Sequence, residues 1–152
     1  MIDTRDFLFH SSSIHDFAWV DFDIINGYTN KKRRNGGQSV MPESLNGILK
    51  SYVDDIHMLY GDRLKAVILY GSYARGDADP DSDVDIMILV ELTEQEIREK
   101  GRQLSNVTFE YNFDNDLAIM PIVKNADHFN KWLGAYPFYY NVKKEGVELY
   151  AA

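Results

Sequence analysis

The sequence contains no cysteine, and this absence excludes three kinds of chemistry together. Without cysteine the chain has no disulfide, no thiolate zinc site and no cysteine nucleophile. It also has no apolar run near the roughly 20 residues that a helix needs to cross a bilayer. Its first residues include Asp3 and Asp6 and lack the basic region of a secretory signal. These absences predict a cytoplasmic protein that does not bind membranes.

Basic residues are also scarce, since 16 Lys and Arg stand against 24 Asp and Glu, for a formal net charge of −8. Lys and Arg supply most of the affinity of proteins for nucleic-acid phosphates, so this balance disfavours a polymeric nucleic acid as partner. A nucleotide or a protein is a more compatible substrate. The 152 residues are enough for one domain with a hydrophobic core.

What the sequence does contain is a stretch, residues 66–90, in which two apolar runs flank a polar loop. Residues 66–70 are continuously apolar, as expected of a buried strand. Gly71 and Ser72 end this run, and a loop rich in Gly, Asp and Pro follows. A second strand is predicted over residues 83–90, beginning with the sequence DVD.

Two carboxylates, Asp83 and Asp85, lie two residues apart at the start of this second strand. Residues at i and i+2 of a strand project from the same face with Cα atoms roughly 7 Å apart. Both side chains can therefore reach a pair of hard cations about 3.5–4 Å apart. Gly71 lets a phosphate approach the backbone, and Ser72 adds an N–H and a hydroxyl where a helix is expected to begin. The pattern predicts a nucleoside triphosphate bound with magnesium.

The spacing of these residues resembles a known signature. Gly71-Ser72, followed after ten residues by Asp83-x-Asp85, is similar to the motif of the DNA polymerase beta-like nucleotidyltransferase superfamily. The longer strings GSYARG and SDVD resemble its minimal nucleotidyltransferase (MNT) family, and the resemblance covers about residues 41–150. It implies an α/β (α+β) fold, a mixed sheet with helices on one face and the active site on the other.

The resemblance also implies a set of metal ligands. Asp83 and Asp85 would bind two magnesium ions, with ATP as the substrate. A third carboxylate, on the strand next to the Asp-x-Asp strand, would complete the site. Asp116 matches that position, and Asp114 is the alternative.

The resemblance assigns the phosphates to the turn before the loop. Gly71 and Ser72 would hold the β- and γ-phosphates through N–H and hydroxyl donors. Arg75 either steadies the triphosphate or pairs with an Asp of the loop. In a loop this acidic, the residues themselves leave both roles open.

The acceptor implied by the resemblance is a protein. MNT proteins commonly pair with helical HEPN proteins as toxin–antitoxin systems, so this chain would be the antitoxin and would attach AMP to a tyrosine of its partner. Two alternatives stay open. One is a small-molecule (aminoglycoside-type) nucleotidyltransferase, and the other is a non-catalytic binding module that neutralises a partner by contact.

The remaining sequence predicts the other elements. Residues 1–40, which end in a basic, glycine-containing linker, are expected to be an N-terminal extension outside the fold or, alternatively, a short element that packs on a partner, and residues 41–152 are expected to form the nucleotidyltransferase domain. Apolar spacing and capping signals predict a helix over 45–60, a surface helix from Thr93 to about Gln103, a short strand or extended connection at 107–111, a third central strand at 117–123, a helix after Asn125, and a tail with a short helix and an extended end. Pro121 indicates that the third strand has an edge or a bulge.

Overall fold

The computed structural model describes residues 43–152, so the predictions for residues 1–40 lie outside the described residues. In chain order the elements are α1 (Glu43–Tyr60), β1 (Leu64–Tyr70), α2 (Gly71–Arg75), β2 (Val84–Val90), α3 (Glu94–Asn115), β3 (Ile119–Asn125), α4 (Ala126–Trp132), α5 (Pro137–Glu145) and β4 (Val147–Ala151). Within this described part of the chain, no helix combines the length and the apolar character that a membrane span needs.

The four strands form one mixed sheet in the order β3-β2-β1-β4. β1 pairs antiparallel with β2 and with β4, whereas β2 and β3 are parallel. The mixed α/β sheet predicted from the sequence is therefore confirmed. β3 lies at an edge of the sheet, which suits Pro121 because proline cannot donate a hydrogen bond to a second neighbouring strand.

One face of the sheet, which we call the core face, is covered by α1 and α3. Side chains of α1 that recur every three or four residues are buried there: Leu45, Leu49, Tyr52, Val53, Ile56 and Tyr60. This is the apolar stripe of an amphipathic helix. The helix predicted over residues 45–60 is confirmed, and the 3₁₀ turn that follows it starts at Gly61.

The helix α3 is longer than predicted. It runs without a break from Glu94 to Asn115, so the prediction of a strand or extended connection at residues 107–111 is wrong. A capping box begins the helix, as expected, with the Glu96 carboxylate accepting from Thr93 N at 2.8 Å. The helix continues because Thr108 and its neighbours pack against the core at helical spacing, and this burial overrides their local β-propensity.

Polar contacts inside the core face join α1 to α3. Tyr52 Oη and Thr108 Oγ1 form a buried hydrogen bond of 2.9 Å. Tyr111 Oη donates to Asp55 Oδ2 at 2.7 Å, and its ring meets that of Tyr52 edge to face with centroids 5.2 Å apart. Burial raises the pKa of Tyr52 to about 12, so its hydroxyl stays neutral. The polar groups of this contact therefore satisfy one another.

Helices also cover part of the opposite face, which we call the cleft face. A second cluster of buried residues lies there: Ala66, Ile68, Met87 and Leu89 of the sheet, Phe129 of α4, and Tyr139 and Val142 of α5. The expectation of helices on one face only is thus corrected. The reason is that β1 and β2 are apolar on both faces, so both faces need cover. The C-terminal helices leave one end of the cleft face open.

Candidate active site

A cleft of about 480 Å³ opens where β1 runs into α2 and β2 begins. Its lining residues come from three stretches of the chain: Tyr70, Gly71, Ser72, Arg75, Ser82, Asp83, Asp85, Phe138, Asn141, Val142 and Glu145. The volume lies within the usual range of small-molecule sites, roughly 300–1,000 Å³. The predicted site residues therefore meet in one cavity, with the exception of Asp116.

Gly71 brings the start of α2 directly against Asp85. The preceding residue, Tyr70, pairs with Asp85 in the register of β1 and β2. Gly71 has a φ of 73°, a conformation that favours glycine. A Cβ at this position would lie 3.1 Å from Asp85 Cγ and would overlap the carboxylate. Only glycine fits here, and it leaves the Asp85 carboxylate beside the turn.

Asp83 and Asp85 oppose each other electrostatically. The pKa of Asp85 is raised, first by burial and then by the negative charge of Asp83. Asp83 precedes β2 and is exposed, whereas Asp85 lies on the strand and is half-buried. Burial and a neighbouring negative charge both disfavour the ionised form of a carboxylate and so raise its pKa. Hard divalent cations prefer carboxylate oxygens, so the donor set fits magnesium, which would offset this repulsion.

Arg75 lines the cleft and also pairs with the loop. Its Nε lies 3.4 Å from Asp77 Oδ2, and both side chains are exposed. Its positive charge acts on the pKa of Asp85 in the lowering direction, against burial and Asp83. Of the two roles left open by the sequence, the structure shows the pairing with a loop Asp. Such exposed pairs contribute only about 0–1 kcal/mol, so Arg75 can turn to a phosphate at little cost.

The acidic loop is ordered by its own side chains. Asp79 Oδ1 accepts from Asp81 N and from Ser82 Oγ, each at 3.0 Å, and Asp79 N donates to Ser82 Oγ at 2.9 Å. The Asp79 carboxylate is thus engaged within the loop. It shapes the segment that leads into Asp83.

Asp116 is not among the residues that line the cleft. It caps the C-terminus of α3 in the left-handed conformation, with φ 52° and ψ 48°, and Asp114 lies within the last turn of that helix. In the register of β2 and β3 the residue opposite Asp85 is Met120. Among the residues that the structure describes, no three Asp, Glu, His or Cys form a group that could hold a metal. The structure therefore brings the Asp-x-Asp pair together without Asp116.

One wall of the cleft comes from a segment that the sequence analysis did not assign to the site. Phe138, Asn141 and Glu145, which we call the α5 wall, recur at spacings of three and four and so share a helix face. The position of this helix depends on Gly146, which follows it. A Cβ on Gly146 would lie 3.2 Å from the Leu69 carbonyl oxygen, so glycine allows the chain to pass closely over β1. The spacing was readable in the sequence, but the face that it presents was not.

Comparison with known proteins gives matches over most of the described region. The sequence model of the nucleotidyltransferase domain matches residues 49–136, which include the glycine-serine turn and both carboxylates. A protein of Methanocaldococcus jannaschii, "Putative protein adenylyltransferase MJ0141", is 40% identical over 76 residues, or 50% of this chain and 75% of that protein. MJ0604 of the same organism carries the same description and is 33% identical over 110 residues, or 67% and 94%.

Solved structures give a weaker match. A crystal structure of a toxin–antitoxin with AMP-PNP aligns with 17% identity and a TM-score of 0.43, covering 68% of this chain and 73% of that chain. A mutant of the toxin–antitoxin MntA-HpeT aligns with 15% identity and a TM-score of 0.42 over the same fractions of the two chains.

Proposed function

This chain belongs to the nucleotidyltransferase domain family, and on that premise we propose that it transfers AMP from ATP to a tyrosine hydroxyl of a partner protein. The observation that carries the proposal is the cleft in which the glycine-serine turn is held against Asp85, with Asp83 beside it. The names of the two archaeal relatives support a protein as the acceptor.

In this proposal the tyrosine oxygen attacks the α-phosphorus of ATP. A phosphodiester bond to tyrosine forms, the bond between the α-phosphorus and the bridging oxygen breaks, and pyrophosphate leaves. The phenolic proton passes to a carboxylate, for which we propose Asp116. Asp116 is exposed at the end of α3, in the turn whose Ala118 carbonyl oxygen accepts from Val84 N at 2.8 Å, so this turn adjoins the start of β2.

Asp83 and Asp85 would hold two magnesium ions, and Asp116 would be the third ligand, with Asp114 as the alternative. Bound magnesium neutralises charge on the triphosphate and lowers the pKa of the attacking hydroxyl. The fit rests on the two neighbouring carboxylates and on the raised pKa of Asp85, which a cation would reverse.

The β- and γ-phosphates would lie on the glycine-serine turn. The N-cap residue of α2, Tyr70, has no side-chain acceptor for the first N–H groups of this helix, so they are not capped by it. These donors and the Ser72 hydroxyl can bind phosphate oxygens. Arg75, once released from Asp77, would add a positive charge to the same wall.

The acceptor would approach along β3. Met120, which pairs with Asp85 in the sheet register, and Ile122, which pairs with Met87, are 54% and 36% exposed. Exposed apolar side chains beside the carboxylates suit contact with another protein rather than with a polar small molecule. From the MNT resemblance we propose a helical HEPN-type protein as this partner, in a toxin–antitoxin pair.

The test is transfer of label from α-labelled ATP to the product of the neighbouring gene in the presence of magnesium. The native chain should label that product, and the double variant Asp83→Asn/Asp85→Asn should not. Asp62→Asn, which changes an exposed carboxylate at the other end of β1, is the matched control and should transfer label normally. Absence of label with the native chain, or equal label with the double variant, would overturn the proposal.

A further inference from the structure

We propose that the α5 wall binds the nucleoside part of the nucleotide and that Asn141 selects adenine over guanine. This inference rests on the proposed function in one respect, namely that the triphosphate lies on the glycine-serine turn. It goes further in assigning the other end of the nucleotide to three named side chains and in predicting which base they prefer.

The two walls of the cleft have different chemistry. The wall formed by the turn and the Asp-x-Asp pair offers N–H donors, a hydroxyl and carboxylates. The α5 wall offers an aromatic ring, a neutral amide and one carboxylate. A nucleoside triphosphate has the same division, since its phosphates are charged and its base is flat and largely uncharged. The cavity of about 480 Å³ is of a size that takes such a ligand.

Phe138 is suited to stack on a base. Its ring meets that of Tyr70 edge to face, with centroids 5.5 Å apart and planes at 78°, so contact with Tyr70 restrains the ring. The side chain is still 43% exposed at the cleft. Bases stack on such aromatic rings irrespective of their hydrogen-bonding groups. Phe138 therefore provides affinity for any base but no choice between bases.

Asn141 can provide the choice. It lines the cleft and is exposed, and none of the described residues forms a hydrogen bond with its side-chain amide. An Asn side chain offers one acceptor and two N–H donors. On its N7 edge adenine presents the N6 amino donor beside the N7 acceptor, which this amide can pair in bidentate fashion. On the same edge guanine presents two acceptors, O6 and N7, so the amide can donate but its carbonyl oxygen has no partner.

Glu145 completes the wall at the end of α5. A carboxylate repels phosphate but accepts hydrogen bonds from hydroxyl groups. The ribose hydroxyls are therefore its suitable partners. This assigns base and sugar to a single helix face, opposite the phosphate-binding turn.

Equilibrium binding tests the inference without requiring transfer. Calorimetric titration with ATP, GTP and inorganic triphosphate, each with magnesium, should give tighter binding of ATP than of GTP by the native chain. Asn141→Asp should weaken ATP binding about 5-fold to 150-fold, because a carboxylate has no N–H to donate to N7, and it should not strengthen GTP binding, because guanine has only acceptors on that edge. Asn141→Ala should abolish the preference for ATP and should leave the affinity for inorganic triphosphate unchanged.

Phe138→Ala sharpens the test and has a matched control. It should weaken ATP and GTP alike, by about 5-fold to 150-fold, and leave inorganic triphosphate unchanged. Tyr140→Ala removes an aromatic ring of the same helix that is 51% exposed but does not line the cleft, so it should change none of the three affinities. Circular dichroism and thermal unfolding check that each variant is folded.

Several results would overturn the inference: equal native affinities for ATP and GTP, a preference unchanged in Asn141→Ala, equal effects of Phe138→Ala and Tyr140→Ala, or inorganic triphosphate binding as tightly as ATP. Absence of any nucleotide binding would overturn the proposed function as well. Selective binding that follows Asn141, together with no transfer to a protein, would support the α5 wall and contradict only the proposed acceptor.

Discussion

The two faces of the sheet differ in how well their polar groups are matched. On the core face, the buried hydroxyl of Tyr52 is paired with Thr108 and Tyr111 donates to Asp55, and the Tyr60 hydroxyl is an exception, buried with no hydrogen-bond partner among the described residues. On the cleft face, two carboxylates repel each other at the mouth of a cavity whose aromatic and amide side chains are exposed. Matched groups stabilise a fold, whereas mismatched groups need a ligand. The comparison places these stabilising contacts on the core face and the proposed site on the cleft face.

The largest effect should come from Asp85→Asn. If Asp85 holds a cation that stabilises the transition state by several kcal/mol, transfer of AMP should fall by about 1,000-fold or more. The measurement is the initial rate of label transfer at saturating ATP and magnesium. Asp55→Asn, which changes the carboxylate bonded to Tyr111 on the core face, should leave that rate nearly unchanged, and an equal loss in both would remove the distinction between the faces.

The same substitution should stabilise the fold when magnesium is chelated. Since the pKa of Asp85 is raised, the folded chain holds this proton more tightly than the unfolded chain does, and ionisation opposes folding. The penalty is absent below the ordinary pKa of Asp and complete above the raised pKa. Asp85→Asn should therefore raise the melting temperature at pH 7 and have a smaller effect in acid. A lower melting temperature at pH 7 would contradict this reading of the charge pair.

Alanine substitutions at two glycines should change the free energy of unfolding in opposite directions. Gly71→Ala should destabilise the fold by about 1–3 kcal/mol, because the left-handed backbone is strained and the new Cβ meets Asp85. In Gly47→Ala, on α1, the Cβ meets nothing within 4 Å, so helix propensity should stabilise the fold by about 0.5–1 kcal/mol. Urea unfolding measures both, and changes of the same sign would refute the contrast.

Tyr52→Phe should cost about 1–3 kcal/mol, because it leaves the Thr108 hydroxyl buried without its partner. Adding Thr108→Val should recover part of this loss, as a double-mutant cycle in urea would show. Nucleotide binding should not change in either variant. A loss of binding would mean that the core face contributes to the site directly.

The smallest effect should follow from Asp77→Ala, which breaks the exposed pair with Arg75. Stability should change by less than about 1 kcal/mol. Triphosphate affinity should hold or rise, since Arg75 is then free to turn to the phosphates. A marked fall in affinity would show that Asp77 itself is needed at the site.

The sequence predicted the parts of this molecule that depend on neighbouring residues. Residues 66–90 carry two continuous apolar runs around a glycine-serine turn and an Asp-x-Asp pair, and their strands and the closeness of Gly71 to Asp85 follow from that order. The parts that depend on distant contacts were missed. Residues 107–111 are helical because they pack on α1, and the α5 wall reaches the cleft because β4 pairs with β1.

Asp116 shows the same limit at a single residue. Its place before the third strand matched the expected carboxylate, but α3 extends to Asn115 and leaves Asp116 as a left-handed cap. The extent of α3 is set by burial of Thr108 and its neighbours, which no pattern local to Asp116 indicates. Its role as third ligand stays a prediction, which loss of transfer without loss of nucleotide binding in Asp116→Asn would support.

The most direct test of the account is mass spectrometry of the partner protein after incubation with this chain, ATP and magnesium. The account predicts AMP in phosphodiester linkage to a tyrosine, present with the native chain and absent with Asp83→Asn/Asp85→Asn. A partner that is neutralised yet carries no AMP, or that is neutralised equally by the double variant, would show that contact alone suffices and would contradict the account.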